Sequence, residues 1–200
     1  STIVPRLARY GDFDKSSKEV ARLLAELKRL EQEGYEYEAA EASFDLVIRK
    51  TLGLHRPLLE LSNYHLESYQ TGATPSKTVG RIFVRVDGTL LMGAAVGVGP
   101  VDTLNMALRD ALVPIYPFLL KIKLTDYRVR VLNPEQATAA RVRVFITTSD
   151  GEESWDTVGV SENVIEASWQ ALIDSMEFYY DNRIAEGADG NGVAAGVSRT

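Results

Sequence analysis

The sequence predicts an α+β protein in which a small helical subdomain precedes two related strand–strand–strand–helix (βββα) units. Three observations predict this fold: helical hydrophobic periodicity early in the chain, alternating patterns with a hairpin signal later, and a repeat of the later pattern. The 200 residues are 45% hydrophobic and 25% charged. This composition is typical of a globular protein and excludes a wholly disordered or fibrous chain.

The helical subdomain is predicted from two periodic stretches. Residues 1–15 lack a pattern and are expected to form a loop. A first helix is expected to begin at Ser16, with Glu19 completing a capping box, and to end at Gly34. A second helix is expected over 38–52. The pair is too small to bury a core of its own, so we expect it to pack on the rest of the chain. The apolar stripe of the first helix is Val20, Leu23, Leu24, Leu27 and Leu30.

Alternating apolar residues predict three strands after Pro57 and then a helix. The strands are expected over about 59–68, 81–86 and 90–96. Asp87-Gly88, between the second and third strands, is typical of a tight hairpin turn. The helix is expected to end before Pro114 and to bury Val101, Leu104, Ala107, Leu108, Ala111 and Leu112.

The same pattern then recurs 62 to 64 residues later. The matching segments are 61–64 with 124–127, 87–88 with 150–151, 96–98 with 158–160 and 107–110 with 171–174. The alternation in 81–86 is matched to that in 141–146. We interpret the recurrence as an internal duplication of a βββα unit. Neither unit can close a core alone, so we expect two sheets or one six-stranded sheet with two helices on a face.

These patterns divide the chain into three parts. A helical subdomain is expected over 1–55 and a domain of two units over 56–182, with the units at about 56–118 and 119–182. The tail over 183–200 is rich in glycine and alanine and lacks apolar periodicity, so it is expected to be disordered.

Composition excludes several classes of function. The net charge of −6 argues against a general binder of nucleic acid or of anionic membranes. The absence of cysteine excludes disulfides, thiolate zinc sites and cysteine nucleophiles. No run of 18 apolar residues and no leader pattern is present, so we expect a soluble, cytoplasmic protein without a membrane or nucleic-acid partner.

No catalytic constellation emerges from the residues. His55 and His65 lack the spacing of metal ligands, so no metal site is expected. The 97–100 segment, Gly-Val-Gly-Pro, lacks the third glycine of a dinucleotide fingerprint and follows a hairpin strand. Glu152-Glu153 and the acidic run near the first helices are interpreted as solvated faces, and Tyr179-Tyr180 has no basic patch around it for binding a nucleotide base.

A binding geometry fits better than a catalytic one. Two turns join a strand to a helix start, where free N–H groups and partial positive charge suit a carboxylate. Asp102 and Glu162 lie at or near these starts; each could cap its helix, the simpler role, or hold an ammonium group. Val101 and Val160 could contact a branched side chain. The turns, which contain Gly97, Gly99 and Gly159, thus indicate an amino-acid site.

Three segments resemble one enzyme family. Residues 157–172 and 97–102 resemble the C-terminal regulatory domain of the citramalate synthases and 2-isopropylmalate synthases. Residues 34–44 resemble the linker subdomain that precedes this domain. The resemblance implies a dimeric domain of two βββα units that binds the end-product amino acid near the dimer interface, as a feedback inhibitor.

The resemblance also implies a parent enzyme. The family condenses acetyl-CoA with a 2-oxo acid on a barrel that needs a divalent metal; pyruvate leads toward isoleucine, and 2-oxoisovalerate toward leucine. A barrel takes about 250 residues, more than this chain contains. We therefore expect no synthase activity and no cofactor in this chain, with the catalytic barrel of the parent as a partner.

The resemblance also implies the effector contacts. They are Val101, Asp102, Ile122, Thr125, Thr138, Val142, Ser161, Glu162 and Asn163. Backbone N–H groups would take the carboxylate, an acidic side chain or a carbonyl the ammonium group, and Val101, Ile122 and Val142 the aliphatic chain. Residues 168–172 resemble those of citramalate synthases more than those of 2-isopropylmalate synthases, which favours isoleucine as the effector. A leucine-binding domain and a purely structural dimerisation module remain as alternatives, and an enzyme of another type is disfavoured.

Overall fold

The computed structural model describes residues 3–14 and 16–185. It confirms an α+β fold made of a helical subdomain and two βββα units. The helices of the subdomain are α1 (Ile3–Leu7), α2 (Lys18–Glu33) and α3 (Glu41–Thr51). The first unit contains β1 (Glu60–Tyr69), β2 (Lys77–Val86), β3 (Thr89–Gly97) and α4 (Pro100–Leu112). The second contains β4 (Lys123–Val131), β5 (Val142–Ser149), β6 (Ser154–Ser161) and α5 (Val164–Tyr179).

The beginning of the chain differs from the expected loop, because residues Ile3–Leu7 form α1. Leu7 is completely buried against α2 and α3, and five residues are too few to show a helical period. The cap of α2 also differs. Ser17, not Ser16, accepts a hydrogen bond from the N–H of Val20, since Asp14 already binds both the backbone N–H and the hydroxyl of Ser16.

Two separate antiparallel sheets form, with strand orders β1-β2-β3 and β4-β5-β6. Of the two arrangements expected, the structure therefore contains the pair of sheets. The duplication extends to an irregularity, because β1 has a bulge between Leu61 and Asn63 and β4 has one between Leu124 and Asp126.

The structure corrects the alignment of the repeats in two places. Ile82 lies opposite Tyr64 and Ile146 lies opposite Tyr127, so the equivalent of 81–86 is 145–150 rather than 141–146. An alternating pattern looks the same after a shift of four residues, which explains the error. In addition, β3 ends at Gly97 and β6 ends at Ser161, so these two residues are equivalent. The expected match of 96–98 with 158–160 is therefore wrong by two residues.

One core joins the two units. The inner faces of both sheets and the buried stripes of α4 and α5 contribute to a single hydrophobic cluster. Its completely buried members include Ile82, Val84, Leu104, Leu108, Leu112, Val144, Ile146 and Leu172. Each unit therefore supplies the apolar surface that the other lacks.

The helical subdomain covers the outer face of the second sheet. Phe145 and Val158 form a buried cluster with Ala40, against which Tyr35 and Tyr37 pack. Hydrogen bonds add to this contact, since the guanidinium groups of Arg141 and Arg143 donate to the carbonyl oxygens of Glu33 and Gly34 at 2.7 and 2.8 Å. None of the described residues covers the outer face of the first sheet in this way, and Val79, Leu90, Met92 and Val96 are exposed there.

The end of the described chain continues α5 as a π-helical turn, Tyr180–Ala185. Residues 183–185 of the expected tail belong to this turn, and 186–200 lie outside the described residues. None of the helices described is both long enough and apolar enough to cross a lipid bilayer.

Candidate amino-acid-binding site

A cavity of about 550 Å³ opens where the start of α4 faces the segment leading into β4. The structure brings Val101, Asp102 and Ile122 together in its wall, three of the residues that the sequence analysis selects. The wall also contains Asn105, Arg109, Lys123, Leu124 and Tyr127. The cavity therefore combines one carboxylate, two cations and several apolar side chains.

Close packing shapes the turn into α4. A Cβ atom on Gly97 would lie 2.5 Å from Thr103 Oγ1 and 2.6 Å from Asp102 Oδ2, so a larger residue there would displace both side chains. Gly99 is different: its φ of −164° is an extended conformation open to any residue, and a Cβ atom there would meet no other atom within 4 Å. Asp102 Oδ2 accepts a hydrogen bond from the N–H of Val98 at 3.1 Å. One oxygen of Asp102 thus closes the turn.

Arg109 is the principal residue that the sequence analysis missed. Its Nε donates to Asn105 Oδ1 at 3.2 Å, and its Nη1 donates to the carbonyl oxygen of Leu119 at 2.5 Å. Burial lowers the pKa of Arg109 from the usual guanidinium value, although an arginine remains charged near neutrality. It makes no ion pair with any carboxylate in the described chain. A partly buried cation without a carboxylate partner is well suited to bind one.

Helix geometry explains why these side chains meet. Asp102, Asn105 and Arg109 follow one another at spacings of three and four, which places them on one face of α4. Helical side chains lean toward the N-terminus, so Arg109 extends toward Asn105 and Asp102. This spacing is the sequence signal by which Arg109 could have been found.

Three further selected residues, Ser161, Glu162 and Asn163, lie at the start of α5 and do not line this cavity. Asn163 Oδ1 accepts hydrogen bonds from the N–H groups of Ile165 and Glu166. Ser161 Oγ accepts from the N–H of Asn163 and donates to the carboxylate of Glu166. The helix start is thus capped by its own side chains, and Glu162 is exposed beside it.

The remaining selected residues are divided among several places. Val142 lies opposite Ser161 in the second sheet and so belongs to the corner at α5. Thr125 occupies the bulge of β4 and is exposed, without lining the cavity. Thr138 belongs to a 3₁₀ helix (Pro134–Ala139), and its side chain lies outside the described residues. Gly159 is not in a turn; it lies inside β6.

A hydrogen bond connects the cavity with the second unit. The hydroxyl groups of Tyr127 and Ser168 are hydrogen-bonded at 2.8 Å, which ties the cavity wall to α5.

Within 3–14 and 16–185, no group of three or more metal-ligating side chains is placed to hold a metal ion.

Comparison with known proteins identifies relatives of this chain. The sequence matches the LeuA allosteric (dimerisation) domain family over residues 38–180. It is 40% identical to the (R)-citramalate synthase of Aquifex aeolicus (strain VF5) over 181 residues, or 89% of this chain and 34% of that protein. It is 42% identical to the (R)-citramalate synthase of Geobacter sulfurreducens over 178 residues, 86% of this chain and 34% of the relative.

A more distant similarity is to the 2-isopropylmalate synthase of Shewanella frigidimarina (strain NCIMB 400). The identity is 28% over 139 residues, which cover 68% of this chain and 25% of that enzyme. The chain spans about a third of the length of the citramalate synthases that it matches. Its matched residues include both βββα units and α3, and the chain therefore belongs to the LeuA allosteric (dimerisation) domain family.

Proposed function

We propose that this chain is the regulatory domain of a citramalate synthase, forms a homodimer and binds isoleucine as a feedback inhibitor. The observation that carries the proposal is the cavity at α4, which combines Asp102, Arg109 and an apolar wall. An α-amino acid with a branched side chain needs these three elements: an anion, a cation and an apolar surface. The condensation of acetyl-CoA with pyruvate would belong to the metal-dependent barrel of the parent.

Each part of the ligand has a counterpart in the cavity. Arg109, held by Asn105, would bind the carboxylate through charge-assisted hydrogen bonds. Asp102 uses Oδ2 within its own turn, and its Oδ1 would accept from the ammonium group. Val101 and Ile122 would contact the branched side chain. The sequence alone assigns the ligand's carboxylate to backbone N–H groups at the helix start. We instead assign it principally to Arg109, because a guanidinium group supplies a full positive charge.

A second subunit would complete the site. The cavity is larger than one branched amino acid, and Tyr127 in its wall is 38% exposed. Val129 and Val131 continue this exposed apolar surface along the edge strand β4, at 45% and 50% exposure. Apolar side chains on an unpaired edge strand are a natural surface for pairing with another chain. We infer that the partner covers this edge and the mouth of the cavity.

Calorimetric titration with isoleucine, leucine and valine tests the proposal. We expect isoleucine to bind most tightly and Arg109→Gln to weaken it by about 10- to 100-fold, the usual contribution of a hydrogen bond to a charged group. Arg85→Gln, on the exposed outer face of the first sheet, is the matched control. Unchanged affinity in Arg109→Gln would remove this residue from the site.

The same titration decides between the alternatives. Tightest binding of leucine would indicate a 2-isopropylmalate synthase domain, which the more distant similarity supports. Binding of none of the three amino acids by an intact dimer would leave a purely structural dimerisation module.

A further inference from the structure

A second cavity, of about 790 Å³, lies between the helical subdomain and α5. Its walls come from α2, α3 and α5, and its floor includes the aromatic segment before α3. We propose that this cleft binds an organic anion with a planar apolar body. The proposal concerns a different place in the fold and does not depend on the amino-acid site at α4.

The floor of the cleft is aromatic and held in place. The rings of Tyr35 and Tyr37 are stacked with their centroids 5.9 Å apart. The Tyr35 hydroxyl donates to Gln170 Oε1 at 2.5 Å, while the same amide bonds both the N–H and the carbonyl of Val160. Trp169 adds a third ring to the lining. A surface of stacked rings that is fixed before binding favours a flat apolar ligand.

The charges of the lining determine the sign of the ligand. Both acidic residues of the cleft already have cationic partners: Glu26 lies 2.6 Å from Arg29, and Asp174 lies 3.5 Å from Lys50. Arg22 lines the same cleft but makes no ion pair or hydrogen bond with any described residue. Among the described residues that line the cleft, Arg22 is therefore the cation without an anionic partner, and an anionic ligand would supply one.

The dimensions agree with a small molecule. Arg22 and Arg29 lie two turns apart on α2, about 10 Å along its axis. The volume falls in the range of about 300–1,000 Å³ that is typical of small-molecule sites. A molecule in this cleft would touch α2 and α5 at once, and so would join the helical subdomain to the second βββα unit.

Two dyes with the same apolar body test the charge requirement. Anilinonaphthalene sulfonate carries an anionic group, whereas phenylnaphthylamine is its uncharged counterpart. We expect Arg22→Ala to bind the sulfonate about fivefold more weakly than the unchanged protein does, as for the loss of one exposed charge-assisted contact. The affinity for the uncharged dye should be the same in both proteins. Lys28→Ala, which removes a cation from α2 outside the cleft, should leave both affinities unchanged.

The position of the dye is read from the two tryptophans. The indole N–H resonance of Trp169 should shift on addition of the sulfonate, whereas that of Trp155, buried and bonded to the carbonyl of Ser175, should not. Trp169→Phe assigns the signals. Absence of binding, a shift at Trp155 alone, or equal affinities in Arg22→Ala and the unchanged protein would overturn the proposal. Loss of isoleucine binding would not affect it.

Discussion

His55 lies between two buried carboxylates where the helical subdomain joins β1. Its Nε2 is 3.0 Å from Glu177 Oε2, and its Nδ1 is 3.7 Å from Asp181 Oδ2. Burial alone lowers the pKa of His55, but the two carboxylates outweigh burial and the repulsion of Lys50, and raise this pKa to about 9. The N–H of Leu58 also donates to Glu177. The imidazolium therefore ties the start of the first unit to the end of α5.

This raised pKa predicts an alkaline loss of stability. A histidine with a pKa near 6.5 when unfolded and about 9 when folded stabilises the fold fully below pH 6.5. The contribution disappears as the pH rises through 9. We expect the free energy of unfolding to fall by about 2–3 kcal/mol between pH 7 and 10 because of His55, measured by urea denaturation.

His55→Gln isolates this contribution from other groups that titrate at high pH. The variant should be less stable at pH 7, because two buried carboxylates lose their cation, and should approach the unchanged protein at pH 10. The interpretation is wrong if both proteins show the same pH dependence.

The sequence predicts a role for Asp102 in the binding site, but it cannot predict the ionic contacts of His55. Asp102 is placed by a local turn whose residues adjoin it in the chain, so motif and spacing are informative. His55 depends on Glu177 and Asp181, far along the chain, and only the packing of α5 brings them together. Arg109 is intermediate, since its helix face is predictable but its burial beside Leu119 is not.

At the scale of elements, glycine has different roles in β6 and at the start of α4. A Cβ atom on Gly159 would lie 1.9 Å from the carbonyl oxygen of Ala167, so α5 approaches β6 as closely as glycine allows. A Cβ atom on Gly93 would likewise lie 1.9 Å from the carbonyl oxygen of Ala107 in α4. Gly99 has open space around it. The glycines in the strands therefore set the distance between helix and sheet.

Gly159→Ala should consequently destabilise the protein, by about 1–3 kcal/mol or more, because a methyl group must displace the backbone of α5. Gly99→Ala is the matched control and should change stability by no more than about 0.5 kcal/mol. Thermal and urea unfolding measure both. Equal stabilities of the two variants would show that the sheet and helix separate without cost.

The elements themselves differ in how well local patterns predict them. The Asp87-Gly88 hairpin is confirmed, with φ values of 47° and 80° at its two central residues. These angles match a type I′ turn. The predicted stop of α2 at Gly34 is also confirmed, with a left-handed φ of 106°. By contrast, α1 is too short to have a period, and the alignment of β5 with β2 depends on strand pairing.

At the scale of the molecule, the outer faces of the two sheets differ. The second is covered by the helical subdomain, whereas the first exposes Val79 and its neighbours. A further exposed apolar surface follows the edge strand β4, beside the cavity at α4. The proposed homodimer could use either surface, and the completion of the amino-acid site favours the edge.

Charged substitutions distinguish the two surfaces. Val129→Lys should raise the dissociation constant of the dimer at least tenfold, because a buried, unpaired charge costs more than about 1.4 kcal/mol. Val79→Lys has a similar starting exposure, 43% against 45%, and should leave association unchanged. Sedimentation equilibrium measures both constants. The reverse result would place the interface on the outer face of the first sheet.

The duplicated βββα unit and most helix and strand positions follow from the order of residues alone, because they depend on periodicity and on turns formed by adjacent residues. The family follows from the resemblance of three sequence segments to its known members. The meeting of Asp102 and Ile122 with Arg109 in one cavity, while Ser161 and Asn163 cap a separate helix, emerges only when the chain is folded. The reason is physical: a cavity consists of space between elements, and the packing distances that leave it open arise from contacts between residues far apart in the chain.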